Sequence, residues 1–130
     1  MFENANPISE AEARNLNPVV LAYVGDAVYS LYVREELVRN TDFKTGQLQK
    51  LSSGIVSAHG QSELLDKIMP LFTEEEGDIF RRGRNAKKAT KSKNASVGEY
   101  NRSTGFEAVL GYLYLTGQCK RIEFLLRKHQ

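Results

Sequence analysis

The sequence predicts an all-α fold, and three observations carry that reading. Apolar residues recur at helical spacing along most of the 130 residues, and no alternating run is bounded by hairpin turns. Helix-capping signatures also stand at the heads of the apolar stretches. A composition of 41% hydrophobic and 26% charged residues is ordinary for a globular chain and excludes disorder throughout. The length suits one domain, residues 1–130.

Taken in order, Ser9 with Glu12 has capping-box spacing for a short opening helix. Asn17-Pro18 is a clearer start, with Asn as N-cap and Pro at the first helical position, and a long helix from Val19 to about Arg39 follows. The stretch 40–46 breaks it. Leu48, Leu51 and Ile55 then mark a helix that Gly60 interrupts, and Leu64, Leu65 and Ile68 mark another that Pro70 stops. Thr73 and Glu76 form a second capping box, with Ile79 and Phe80 facing inward and Arg81 and Arg82 near the favoured C-terminal end. Gly83 is expected to release a basic loop, Arg84 to Tyr100. Ser103 or Thr104 can cap the next helix, which runs to Leu115 and ends at Thr116-Gly117. A last amphipathic helix, about Cys119 to Lys128, carries Ile122, Phe124, Leu125 and Leu126.

Several function classes drop out. The single cysteine, Cys119, cannot form an internal disulfide, and no Cys/His spacing suits structural zinc. The polar, acidic N-terminus does not read as a signal peptide. The longest apolar stretch, Val19 to Val33, is interrupted by Asp26 and falls short of the ~20 residues that span a bilayer. The chain reads as soluble and cytoplasmic, with no membrane partner.

Charge is unevenly spread. The segment 81–102 holds eight basic residues (Arg81, Arg82, Arg84, Lys87, Lys88, Lys91, Lys93 and Arg102) and one acid, Glu99, while the rest of the chain is net acidic. Such a run is either a solvated loop or a phosphate-binding surface: the arginines offer forked contacts and the lysines mobile point charges. Without interleaved aromatics it suits a duplex backbone better than stacked single-strand bases.

The two most apolar helices each carry one carboxylate, Asp26 in VVLAYVGDAVYSLYV and Glu107 in TGFEAVLGYLYL. A helix apolar on all sides is normally buried, and an uncompensated charge there is prohibitive. A buried acid there is therefore neutral, paired or bound to a cation; the plainer reading is that each acid pairs with a core arginine or sits at a helix edge facing solvent. Gly25 and Gly111, costly inside helices, point to close backbone approach. Two helices crossing at their small residues would bring the acids to one point, which suits a hard divalent cation.

These residues carry a family resemblance. LAYVGDAVY resembles the signature helix of the ribonuclease III family, which ends in Leu-Gly-Asp. STGFEAVLGYLYL resembles that family's second catalytic helix, and LQKLSSGIVSAHGQSELL its intervening Leu-Arg-Ala-x-Leu-Val segment. RGRNAKKAT more nearly resembles one branch, Mini-III, in which the catalytic domain stands alone, without a double-stranded-RNA-binding domain. The likeness runs from about Asn17 to Leu126.

The resemblance implies a ribonuclease III-type helical catalytic domain, dimeric, with Tyr23 at the subunit interface. It implies a Mg²⁺-dependent endoribonuclease (Mn²⁺ a possible substitute) that cuts double-stranded RNA to 5′-phosphate and 3′-hydroxyl ends. Asp26 and Glu107 would be its metal-binding catalytic pair, with Thr104 and Ser30 as possible supports. It further implies maturation of 23S ribosomal RNA precursor ends, assisted by a large-subunit ribosomal protein. The chain departs from the broader family at Ala22 and Thr104, where two further carboxylates are usual, and at Val19, where a signature Glu is lost. The Mini-III branch shares this thinner site. The alternatives are a non-catalytic RNA-binding module and a helical dimerisation protein with structural acids.

Overall fold

In a computed structural model, described for residues 3–88 and 95–127, seven α-helices and one 3₁₀ turn build the structure. They are α1 (Glu10–Arg14), α2 (Pro18–Asn40), α3 (Thr45–Val56), α4 (Ala58–Ile68), the 3₁₀ turn (Met69–Leu71), α5 (Glu74–Asn85), α6 (Val97–Leu115) and α7 (Cys119–Arg127). Among the described residues there is no strand, and no helix is long and apolar enough to cross a membrane.

Local chemistry sets most of the boundaries. Ser9 accepts from the Glu12 amide, Asn17 from the Val19 amide, and Thr73 and Glu76 close a full capping box at the head of α5. Pro70 sits in the 3₁₀ turn that ends α4, and Gly117 takes φ 76° to end α6.

Three boundaries differ from the sequence reading. The break between α3 and α4 falls at Ser57, which caps α4 through the Gly60 amide, so Gly60 lies inside a helix. Gly83 does not release a loop; it is buried within α5 because that helix approaches α6 there, and a Cβ on it would lie 2.9 Å from the Gly105 Cα. Helix α6 begins at Val97, capped by Ser96 through the Glu99 amide. Ser103 and Thr104 are internal to α6 and donate back to the Tyr100 carbonyl at 2.8 and 3.0 Å.

Helix α6 is the spine. Nearly every side chain from Ser103 to Leu113 is buried, under α2, α4, α5 and α7. Leu21, Val28, Tyr29 and Tyr32 of α2 face it, with the Tyr29 ring edge-on to Phe106 at 5.1 Å. Leu65 and Ile68, Ile79 and Phe80, and Ile122, Leu125 and Leu126 complete the core. Phe124, placed on the apolar face by sequence, stays exposed beneath Arg121, whose guanidinium lies 5.1 Å from the ring. Arg121 also makes a bidentate pair with buried Glu76 at 2.9 Å, fixing α7 to the head of α5.

The crossing of α2 and α6 is closer than side chains permit. A Cβ on Gly25 would lie 1.7 Å from the Glu107 carbonyl oxygen, and one on Gly111 would lie 1.9 Å from that of Leu21. The close approach that the two glycines predicted is what the structure shows.

Candidate active site

That crossing sets the position of both carboxylates. Asp26 follows Gly25 on α2, and Glu107 lies one turn before Gly111 on α6. Their side chains line one open cavity of about 510 Å³, with Gln61 of α4, Lys88 beyond the end of α5, and Ala22, Tyr23 and Thr104. The two positions where the broader family carries further carboxylates thus face the same cavity, but as a methyl and a hydroxyl group. Ser30 is not part of this lining.

The two acids occupy different surroundings. Asp26 is exposed, at a helix edge and not inside a helix buried on all sides, because one stripe of α2 is left uncovered by the rest of the chain. Glu107 is half-buried, and desolvation pushes its pKa up to about 8. A hydrogen bond from Gln61 opposes that shift, and the neighbouring Asp26 carboxylate adds to it. Structural pairing with core arginines does not account for the acids, since Arg102 is held by Asp66 at 2.5 Å and Arg121 by Glu76.

Gln61 escaped the sequence reading. It is 2% exposed, and its Nε2 donates to the Val56 carbonyl at 2.9 Å and to Glu107 Oε2 at 3.1 Å. Its Oε1 is buried with no partner. A signal for it was present: Gln61, Leu65 and Ile68 stand at i, i+4 and i+7, so the amide lies on the buried stripe of α4.

The basic residues divide by place. Lys88 reaches the cavity, its Nζ donating to the carbonyls of Arg84 (3.1 Å) and Ala86 (2.7 Å), and partial burial lowers its pKa. Arg82 bonds the Leu16 carbonyl at 3.5 Å, Arg84 lies over the Phe80 ring at 5.6 Å, and Lys87 is exposed. Arg102 is committed to Ser62 and Asp66. Arg81 lies 3.8 Å from Asp78 and lines a larger cavity, about 760 Å³, whose acidic walls (Glu10, Glu74, Glu75, Asp78) disfavour a phosphate ligand. Of these two cavities, the smaller is the one that joins Asp26 and Glu107 to a lysine. Lys91 and Lys93 lie outside the described residues. His59, isolated in sequence, bridges Glu63 (2.9 Å) and Glu99 (2.5 Å), which raises its pKa and pins the head of α6 to α4.

Two carboxylates on one cavity, an orphaned amide oxygen beside them and a nearby ammonium fit a hard divalent cation with an anionic ligand. No group of three or more His, Cys, Asp or Glu side chains gathers at one point among the described residues, so water would have to complete the coordination.

Comparison with known proteins decides the family. The family model for the ribonuclease III domain matches residues 19–118. The chain belongs to the ribonuclease III family. Within that family it falls in the Mini-ribonuclease 3 branch. It is 44% identical to the Mini-ribonuclease 3 of Thermoanaerobacter sp. (strain X514), over 96% of this chain and 88% of that one. It is 47% identical to the one from Staphylococcus aureus (strain NCTC 8325 / PS 47), over 87% and 86%. A crystal structure of a Fusobacterium nucleatum protein superposes with a TM-score of 0.82 at 29% identity, covering 88% of this chain and 93% of the other. As a Mini-ribonuclease 3 the chain is an endoribonuclease, and its all-helical domain is of the ribonuclease III type.

Proposed function

We propose that this Mini-ribonuclease 3 hydrolyses double-stranded RNA with a divalent cation, Mg²⁺ or in its place Mn²⁺, held by Asp26 and Glu107. The observation that carries the proposal is that the α2–α6 crossing delivers both carboxylates to one open cavity that also receives Lys88. When bound, the cation would supply Lewis-acid polarisation of the phosphate and a more acidic water. The protein's own part is positional. Asp26 meets the ligand from the wet rim and Glu107 from the wall, where Gln61 restrains one of its oxygens. Lys88, with two hydrogens engaged by backbone carbonyls, keeps its third N–H and its full positive charge for an anion. The products would carry 5′-phosphate and 3′-hydroxyl ends. Incubating a labelled RNA duplex with the protein, with and without Mg²⁺, tests the proposal: discrete cuts only with the metal are expected, and metal-independent or absent cleavage would overturn it.

The chain would work as a homodimer in the cytoplasm on the precursor of 23S ribosomal RNA, with a large-subunit ribosomal protein as helper. Support for the dimer comes from α2, where Val20 (47% exposed), Tyr23 (82%), Ala27 and Leu31 form one uncovered stripe at i, i+3, i+7 and i+11. Tyr23 also lines the carboxylate cavity, so a partner seated there would lie beside the site. Tyr23→Asp is expected to convert a dimer to a monomer in sedimentation velocity; a wild-type sedimentation coefficient for the variant would remove Tyr23 from the interface.

The duplex backbone would run across Arg82, Arg84, Lys87 and Lys88, with Lys91 and Lys93 of the same segment. Replacing Arg82, Arg84 and Lys87 by Ala is expected to weaken duplex binding more than it slows cleavage of bound RNA. The slope of log affinity against log salt should become shallower by about 0.7–0.9 for each phosphate interaction removed. Binding titrations at several salt concentrations read both quantities, and unchanged values would mean a merely solvated segment.

A further inference from the structure

Gln61 has the geometry of a device rather than of core filling. A glutamine that is 2% exposed needs its polar atoms satisfied, and here both amide hydrogens are spoken for, one by the Val56 carbonyl and one by Glu107 Oε2. That pattern fixes the amide orientation, since the flipped amide would set its oxygen against two acceptors. The contacts connect three elements: the amide sits on α4, the Val56 carbonyl is at the end of α3, and the carboxylate comes from α6. The remaining atom, Oε1, is buried without a partner on a residue that lines the cavity holding Asp26 and Glu107. Leaving such an acceptor unmatched is costly unless a bound species answers it. Where the broader family supplies carboxylates, this chain has Ala22 and Thr104, so few groups remain to hold Glu107 in place.

We propose that Gln61 is a positioning residue for the metal site: its Nε2 clamps Glu107 Oε2 to the α3–α4 junction, so that the carboxylate meets the cation together with neighbouring Asp26. The inference rests on the reading above that Asp26 and Glu107 hold a divalent cation. Residues that orient a ligand from behind, when removed, typically cost 10–100-fold in metal affinity. Gln61 acts through Glu107 and would not itself touch the RNA.

The test is Mn²⁺ binding to the RNA-free protein, followed by electron paramagnetic resonance, for wild type, Asp26→Asn, Gln61→Met and Gln61→Asn. Methionine keeps the length and burial of the side chain but has no donor. Asparagine keeps the amide but is one methylene too short to reach both acceptors. Both Gln61 variants are expected to bind Mn²⁺ about tenfold more weakly, with the wild-type circular dichroism spectrum retained. Cleavage by both should recover as Mn²⁺ is raised, because the ligands themselves remain. Should Gln61→Met fail to fold, Gln61→Asn decides. If Asp26→Asn loses Mn²⁺ while the folded Gln61 variants bind it within twofold of wild type, the clamp is refuted and the metal site stands. Unaltered Mn²⁺ binding by Asp26→Asn would instead refute the metal site on which the clamp depends.

Discussion

Asp26→Asn and Glu107→Gln are each expected to lower the rate of RNA cleavage by about a thousandfold or more, with the fold intact. Both changes keep the shape of the side chain and remove only the charge that would face the cation. Single-turnover cleavage at saturating Mg²⁺ reads the effect, and a rate within tenfold of wild type for either variant would remove that residue from the catalytic pair. A pH signature accompanies the second variant. The pKa of Glu107 is raised from 4.5 to about 8 in the folded, metal-free protein, so the folded state holds a proton that the unfolded chain releases. Stability from this group is therefore present below about pH 4.5 and is lost as pH rises toward 8. Glu107→Gln lacks that titration. Its melting temperature relative to metal-free wild type should climb between pH 5 and pH 8, and a constant difference would contradict the assignment.

The largest effect on folding is expected at the glycines of the central crossing. In Gly25→Ala and Gly111→Ala the new methyl group meets a carbonyl of the facing helix at under 2 Å, and no rotamer change can relieve a backbone contact. The helices must part, and a loss of about 3 kcal/mol or more is expected. Gly54, with nothing within 4 Å of its Cβ position, is the control: in the interior of α3, Gly54→Ala should be neutral or stabilising by up to ~1 kcal/mol. Urea unfolding of the three variants tests the contrast. Stability within ~0.5 kcal/mol of wild type for Gly25→Ala would mean that the crossing is looser than described.

Most of the fold was legible because its boundaries are written in local chemistry. Ser9, Asn17, Thr73, Pro70 and Gly117 each end or begin an element by satisfying or denying a backbone hydrogen bond, and such signals need no knowledge of the rest of the chain. Gly83 was misread because glycine serves both as terminator and as contact surface, and only the position of α6 distinguishes the two. The head of α6 was missed because 97–102 is half-exposed and polar, so its periodicity is faint, although Ser96 and Glu99 had capping spacing.

The carboxylate pair was legible in part. Its meeting point followed from Gly25 and Gly111, whereas the sequence left open whether Asp26 is buried or at a solvent-facing edge, because an apolar stripe covered by this chain reads like one left bare. Gln61 lies 46 residues from Glu107, and nothing local to either announces the bond between them.

The α2–α6 crossing also bears on how the molecule opens. The carbonyl that Gly25 rests against belongs to Glu107 itself, so the contact that seats the core and the residue that would hold the cation are one and the same. Proteins commonly keep their working parts in segments that fluctuate open at little cost while the core stays closed. Here the inner wall of the cavity cannot come loose unless the two longest helices separate, which is global unfolding. Amide protons along Leu21–Val28 and Phe106–Leu113 are for that reason expected in the slowest-exchanging class of a hydrogen-exchange experiment, and the α4 side of the cavity is the wall left to yield when a ligand enters or leaves.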